Sequence, residues 1–500
     1  MKRLCVLLLL SSTPAFSQSV QYTVGMPDPS SHLFHISMTI DDPGTAPVDL
    51  GLPAWNATYV IRDFAQYLQG FDASVDFKRI DKQTWRLEPK GTDRIEVRYT
   101  IYADQASPFS SQLNESHAFF NSANLLLLWK QQRDLPLVLV IEPARNWTIA
   151  TALPETEYRN VYRADNYDHL VDSPVDVGNL DRHRFTVNGI PIHIIVDGAH
   201  RDYDADELVS VLRQVVQGHV DLMQDVPFEH YYFLYHFTRE RSGGGMEHRA
   251  STAINRTFGA GDTSVRGIVG VSSHEFFHLW NVKRIRPRNM EPIDYFAEDY
   301  STALWFNEGF TSYYAGLVLT RIEYQTRQEY YRSLARQVRT LQSRPGRHEL
   351  SAADTSLLTW FDGSFFNQAE NSFSYYNKGL LIGLMLDLKI RDATDNRFSM
   401  DDVMRHLNEN YAKQGRYFED DFGIAVAITE VTGLDLNEEY ADFVHRRTEL
   451  PYQEYLGFAG LELIEPSAES QNERLEYEIR EIENATPKQR RIRDSWLSGN

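Results

Sequence analysis

The 500-residue sequence has a single cysteine, Cys5, near the amino terminus, so the rest of the chain can form neither a disulfide framework nor a cysteine-ligated metal cluster. Long hydrophobic runs are missing too: the run from Cys5 to Leu10 is too short to cross a bilayer. The third deficit is positive charge. Fifty Lys and Arg stand against 70 Asp and Glu, a formal net charge of −20, which repels phosphate backbones and anionic lipid and argues against nucleic acid as a partner. No stretch has the polar, aromatic-poor composition of disorder, and no internal repeat is visible. What is present is length, 42% apolar residues and 12% aromatics. That is more than one ordinary core holds and predicts two or three folded domains.

Met1, Lys2 and Arg3 precede the apolar run, and Ser11 to Ser17 follows it, with Ala15 and Ser17 at the −3 and −1 positions of a cut after Ser17. Residues 1–17 therefore read as a cleavable signal peptide. Its loss removes Cys5 and makes the chain two charges more negative. Cys5 lies inside the apolar core of the leader, not at the cut where a lipoprotein carries its acylated cysteine. The expectation is a periplasmic or secreted bacterial protein with no stable membrane anchor and with no feature that fixes its oligomeric state.

From residue 18 to about 180, short alternating runs such as Leu33–Ile40, Arg94–Ile101 and Leu135–Ile141 are separated by Pro, Gly and Asp clusters. They predict an N-terminal antiparallel, sandwich-like β domain. From 181 to about 450, two strands give way to helical periodicity over Ala205–Leu222, Val265–Arg286, Ser301–Tyr324, Gln328–Gln342, Gly379–Ile390, Asp401–Tyr411 and Phe422–Thr432. The whole is a multidomain α+β chain with its chemistry in the second part. Residues 451–500 read as an appendage docked by Tyr452, Tyr455 and Phe458, with a charged end thin in core residues.

The strongest local signal is His274-Glu275-Phe-Phe-His278. On a helix, side chains four apart share a face, so both imidazoles can hold one Zn²⁺ while Glu275 stands beside the position left for water. A catalytic zinc wants a third protein ligand. Glu308, 30 residues beyond His278, lies between Trp305, Phe306 and Phe310, and a carboxylate buried among aromatics needs a metal or an opposite charge. A solvated surface glutamate is the ordinary alternative.

His274 to Pro287, Trp305-Phe-Asn-Glu-Gly-Phe-Thr311, Ser374-Tyr-Tyr-Asn-Lys-Gly379 and Asp165 to Pro174 together resemble the glycyl aminopeptidase family of zinc metallopeptidases, a gluzincin group related to aminopeptidase N. The resemblance runs from about Leu52 to Leu461. It implies a thermolysin-like catalytic domain with a largely helical continuation, and one Zn²⁺ per chain held by His274, His278 and Glu308. It also implies Glu275 as general base and peptides with a free amino terminus and a small first residue, Gly or Ala, as substrates. By the same resemblance, Gly243-Gly244-Gly245-Met246-Glu247 is the strand that pairs with substrate, with Glu247 meeting the α-ammonium. Glycines suit a close backbone approach, although a flexible glycine turn has the same composition. Tyr376 matches the hydroxyl donor to the oxyanion, with Tyr375 the competing assignment.

The sequence departs from the family in two ways. Only 23 residues separate Leu461 from Ala485, too few for the PDZ domain the family commonly carries. Asn56-Ala-Thr-Tyr59 stands where a Pro-Gly turn is usual and reads as a change confined to a loop of the β domain. His219, His230, His236, His348 and His406 have no second ligand at metal spacing and are left out of the site. Lys283, Arg284, Arg286 and Arg288 fit an ion-pair network better than a substrate contact, and Asn281 remains unassigned. Rival readings are an endopeptidase of the same fold and a peptide-binding scaffold without catalysis.

Overall fold

The computed structural model describes residues 18–144, 146–198, 202–238, 242–259, 263–362, 371–466 and 476–499. The leader at residues 1–17 lies outside the described residues.

Alternation makes the strands of the first half. In Arg94–Tyr102, Ile95, Val97, Tyr99 and Ile101 are buried while Arg94, Glu96, Arg98 and Tyr102 face solvent. This strand belongs to a six-stranded sheet ordered Val161–Ala164, Leu137–Glu142, Ser19–Gly25, Leu33–Asp41, Arg94–Tyr102, Leu68–Ala73. One pair departs from the antiparallel expectation: Ser19–Gly25 runs parallel to Leu137–Glu142. The excursion of nearly a hundred residues after Leu33–Asp41 supplies the long crossover that parallel pairing needs. Two four-stranded sheets close the domain around a shared core that includes Trp85, Trp129 and Tyr167.

A five-stranded sheet opens the second half, in the order Asp181–Val187, Ile190–Gly198, Tyr231–Thr238, Ser251–Thr257, Gly243–Glu247. Helix Ala205–Met223, N-capped by Asp204, makes the crossover and lays Leu208, Leu212, Val215 and Val216 into the core. The glycine-rich strand Gly243–Glu247 is the sheet edge, antiparallel to Ser251–Thr257.

Three helices then build the centre. The first, Arg266–Phe277, is shorter than its periodicity predicts. Phe276, Phe277, Leu279, Trp280, Val282 and Ile285 are all buried, so the apolar pattern runs on past the residue where the helix ends. The chain instead turns through Val282, whose φ is 125°. The second, Leu304–Arg321, is buried over nearly its whole length. The third, Tyr375–Ala393, begins a turn before the expected start, which puts Tyr375 and Tyr376 in its first turn. The second and third cross at Gly309 and Gly379 with backbone against backbone.

The end of the chain is charged outside and anchored inside. Helix Pro487–Ser498 buries Ile492, Trp496 and Leu497 completely or nearly so. Trp496 Nε1 donates to Tyr313 Oη at 2.8 Å, and Tyr313 donates to the buried Asp387 at 2.6 Å. What reads in composition as an appendage is packed into the core of the helical half. No helix among the described residues is long and apolar enough to cross a membrane.

A methyl group on Gly379 would stand 2.0 Å from the Trp305 carbonyl oxygen, and one on Gly309 would stand 2.4 Å from the Gly379 Cα. Backbone cannot yield as a side-chain tip can. Gly379→Ala is expected to destabilise the protein by about 3 kcal/mol, read as a lower urea midpoint; an unchanged midpoint would show that the helices can part.

Candidate functional site

His274 lies in the last turn of Arg266–Phe277 and His278 caps its end. Glu308 projects from the next helix, and the three meet: His274 Nε2 is 3.0 Å from His278 Nε2, and Glu308 Oε2 is 3.4 and 3.2 Å from them. Ligands about 2 Å from a tetrahedral zinc lie about 3.3 Å apart, so the donor set has the spacing and chemistry of a zinc site with one open position. Glu308 Oε2 is buried and accepts no hydrogen bond, as an atom that serves a cation does. The residues fit the metal.

The charges lead to the same conclusion. Glu275, Glu308 and the half-buried Glu247 bring three carboxyl groups to two imidazoles. Burial pushes the Glu275 carboxyl well above the usual range; His278 opposes that, while Glu247 and Glu308 add to it. Burial disfavours a charged His278, but Glu308 outweighs it and lifts the ring to about 10. Burial and the neighbouring His278 lower His274. Without a metal the cluster draws in a proton, so it is a place that demands positive charge.

Asn281, unassigned from sequence, ties the ligands together. Its carbonyl accepts from His278 Nδ1 at 2.7 Å and orients the ring. Its side-chain amide donates to the Phe306 and Asn307 carbonyls at 3.0 and 3.1 Å, next to Glu308 in the second helix. Ser312, one turn after Glu308, lies 3.3 Å from His274 Nδ1.

A cavity of about 590 Å³ opens over these groups, lined also by Gly244, Gly245, Glu247, Tyr376 and Tyr59. The glycines are required where they stand. A methyl on Gly245 would lie 2.4 Å from Glu275 Oε1, and Gly244 has φ +101°. Tyr376 lines the cavity, its ring nearly parallel to that of His274 at 6.1 Å, whereas Tyr375 is turned into the core with its hydroxyl 3.3 Å from Thr359 Oγ1. Tyr376 is therefore the one of the two tyrosines that lines the cavity. Met246, a substrate residue in the sequence reading, packs its side chain against Ala57 and Phe109, which line this cavity, and its carbonyl accepts from Thr252. Met246 itself lines the adjoining cavity beyond Glu247.

The β domain supplies residues that sequence reasoning missed. Asn56 to Tyr59, read as a change confined to a β-domain loop, line the cavity instead. Asp172, inside the quoted Asp165–Pro174 motif, accepts from Lys283 Nζ at 2.7 Å, His248 Nδ1 at 3.2 Å and Arg249 N at 3.1 Å. It thus pins the residues that follow Glu247. Of the basic run, Lys283 and Arg286 reach the cavity, each paired with a carboxylate; Arg284 is spent on the Leu279 and Pro227 carbonyls and Arg288 on Glu419. The histidines set aside have partners elsewhere: His219 with Ser273, His230 with the Ala152 carbonyl, His236 with Asp176, His348 with Glu449 and His406 with Glu430.

Comparison with known proteins gives a consistent result. Residues 21–179 match the family described as Peptidase M61 N-terminal domain and residues 267–382 the family described as M61 glycyl aminopeptidase, together more than half of the chain. Among solved structures, the chain is similar to an aminopeptidase N family protein from Idiomarina loihiensis, with 29% identity and a TM-score of 0.85 over 91% of this chain and 81% of that one. A mutant M1 zinc metallopeptidase from Deinococcus radiodurans bound to a Tyr-Ser-Ala substrate is 15% identical, with a TM-score of 0.55 over 87% and 95% of the two chains. Native yeast LTA4 hydrolase is 12% identical, with a TM-score of 0.51 over 87% and 69%. These last two share the fold. No curated protein matches the sequence.

Asn281→Ala keeps the carbonyl that orients His278 but removes the amide that ties this turn to the Phe306 and Asn307 carbonyls beside Glu308; it is expected to weaken zinc binding about 10-fold, measured by competition with a chelator. Full affinity would mean that Glu308 keeps its place opposite the histidines without that tie.

Proposed function

Because the chain belongs to the M61 glycyl aminopeptidase family of metallopeptidases, we propose that it removes the first residue from peptides with a free amino terminus. We infer a preference for Gly or Ala there and one zinc ion per chain. The observation that carries this reading is the convergence of His274, His278 and Glu308 beneath a cavity that Glu275, Glu247 and Tyr376 also line. Zinc held by the three ligands supplies Lewis acidity, which acidifies water and polarises the scissile carbonyl.

Each side chain then has a task. Glu247 accepts the hydrogens of the α-ammonium and so sets the first peptide bond opposite Glu275. The edge strand at Gly244 and Gly245 offers backbone groups to an extended peptide. Glu275 takes a proton from the attacking water at one carboxylate oxygen and delivers it to the departing nitrogen. The Tyr376 hydroxyl donates to the carbonyl oxygen as negative charge gathers there. The preference for a small first residue is supported by the family's description as glycyl aminopeptidases.

One observation favours endopeptidase action as a second reading. Beyond Glu247 lies another cavity of about 430 Å³, lined by Arg133, Asp172, Arg249 and Tyr295 and sharing Asn56, Glu247, Lys283, Arg286 and Ile293 with the first. A chain extending past Glu247 has somewhere to go. We also propose export with cleavage after Ser17, supported by the basic, apolar and small-residue succession of residues 1–17. Peptides, not nucleic acid or membranes, are the proposed partners.

The deciding experiment is the initial rate on a glycyl or alanyl peptide beside its N-acetylated twin, with zinc-loaded protein. Turnover of the free form alone, falling about 10²- to 10⁴-fold in Glu275→Gln, is the expected result. Equal turnover of both forms would replace the aminopeptidase with the endopeptidase, and no turnover of either would count against both.

A further inference from the structure

Tyr59 reaches the catalytic cavity from the β domain. It is 5% exposed and lines the same space as His274, Glu275, Glu308 and Glu247. Its ring is braced from behind. Trp360 meets it nearly edge-on, with centroids 6.1 Å apart, and Trp55 lies at 6.3 Å; the two tryptophans contact each other at 5.0 Å. Trp55 is itself fixed, because its indole N–H donates to the Asp294 and Ala297 carbonyls at 2.7 and 2.9 Å. Those carbonyls belong to the segment between the histidine and glutamate helices. The brace therefore spans both domains.

The backbone is also committed. Thr58 and Tyr59 have φ of 58° and 49°, the left-handed region that β-branched and aromatic side chains avoid. Two such residues in succession persist only where the surroundings hold them. Here Arg62 donates to Thr58 Oγ1 at 2.7 Å, and the brace holds the ring.

Tyr59 also shares its cavity with the two carboxylates Glu247 and Glu308. Burial opposes its ionisation most, followed by the charges of Glu308 and then Glu247. The phenol is thus within electrostatic reach of both the metal-ligand carboxylate and the carboxylate proposed for the amine. On the aminopeptidase reading, the first residue of a bound peptide runs from Glu247 to the metal ligands, through the cavity that Tyr59 lines.

We propose that Tyr59 is the wall that limits the size of the first substrate residue. This rests on the aminopeptidase reading and supplies it with a specificity determinant. Glycine presents no side chain to the ring and alanine only a methyl group. A leucine must displace a ring that Trp55 and Trp360 prevent from swinging away, over backbone already held in an unfavourable conformation. The small-residue preference then belongs to the β domain, not to the metal-binding helices.

The test is kcat/KM of zinc-loaded protein on glycyl, alanyl and leucyl p-nitroanilides, for the wild type, Tyr59→Phe, Tyr59→Leu and Tyr59→Ala. Tyr59→Ala is expected to raise the leucyl-to-glycyl ratio at least about tenfold, the scale on which pocket size discriminates. Tyr59→Phe keeps the ring and is expected to hold that ratio within about twofold. Should Tyr59→Ala fail to fold, Tyr59→Leu is expected to move the ratio the same way by at least about threefold. An unmoved ratio in a folded, glycyl-active Tyr59→Ala or Tyr59→Leu variant overturns the inference, as does a wild type that uses leucyl and glycyl substrates equally. A zinc-loaded wild type that turns over none of the three sinks the aminopeptidase reading and takes this inference with it.

Discussion

Gly309 and Gly379 let helices Leu304–Arg321 and Tyr375–Ala393 approach until main chain meets main chain, and the side chains that the site draws from these helices flank that contact. Glu308 is the immediate neighbour of Gly309, and Tyr376 stands about one turn before Gly379. Any side chain at the crossing would push the helices apart and separate Glu308 from Tyr376. Asn281 adds the third element, gripping the carbonyls beside Glu308 while its own carbonyl orients His278. The tail helix presses on the same assembly through Trp496, Tyr313 and Asp387.

Electrostatics explains why so much packing is invested there. Glu275 and Glu308 are buried beside two imidazoles, with Glu247 half-buried at the rim. Such a cluster is costly in a low-dielectric interior unless a cation joins it. A site that needs a metal to be stable and leaves an open position over a cavity is arranged for metal-assisted hydrolysis. The same burial keeps Glu275 poised against bulk water, because the Gly245 backbone lies directly over its carboxyl.

The two domains share one cleft. Asp172, from the β domain, holds Lys283 and the residues just after Glu247, and the Trp55–Tyr59 loop forms part of the cavity wall. The β domain is thus part of the site as well as a neighbour of it. The tertiary reason is the segment around Asp294 to Ala297, whose carbonyls and Tyr295 side chain are taken up by the first domain.

Local pattern made much of this legible. The alternation of Arg94–Tyr102, the crossover helix after Asp204 and the four-residue spacing of His274 and His278 are each set by short-range geometry, and a linear sequence displays that directly. The aromatic flanks of Glu308 also betrayed its burial. Other features had no local signature. The histidine helix stopped at Phe277 because the turn through Val282 is stabilised by contacts from another helix. Met246 packs against Ala57 and Phe109 across the domain boundary, a contact that no local pattern announces. Tyr375 and Tyr376 are adjacent and chemically identical, so only the rotation of their helix decides which one sees the cavity. The sequence by itself determined which chemistry is possible, because residue types and helical spacing are written into it. The tertiary structure alone decided which side chains share a space, because that depends on how distant backbones approach each other at Gly309, Gly379 and Tyr59.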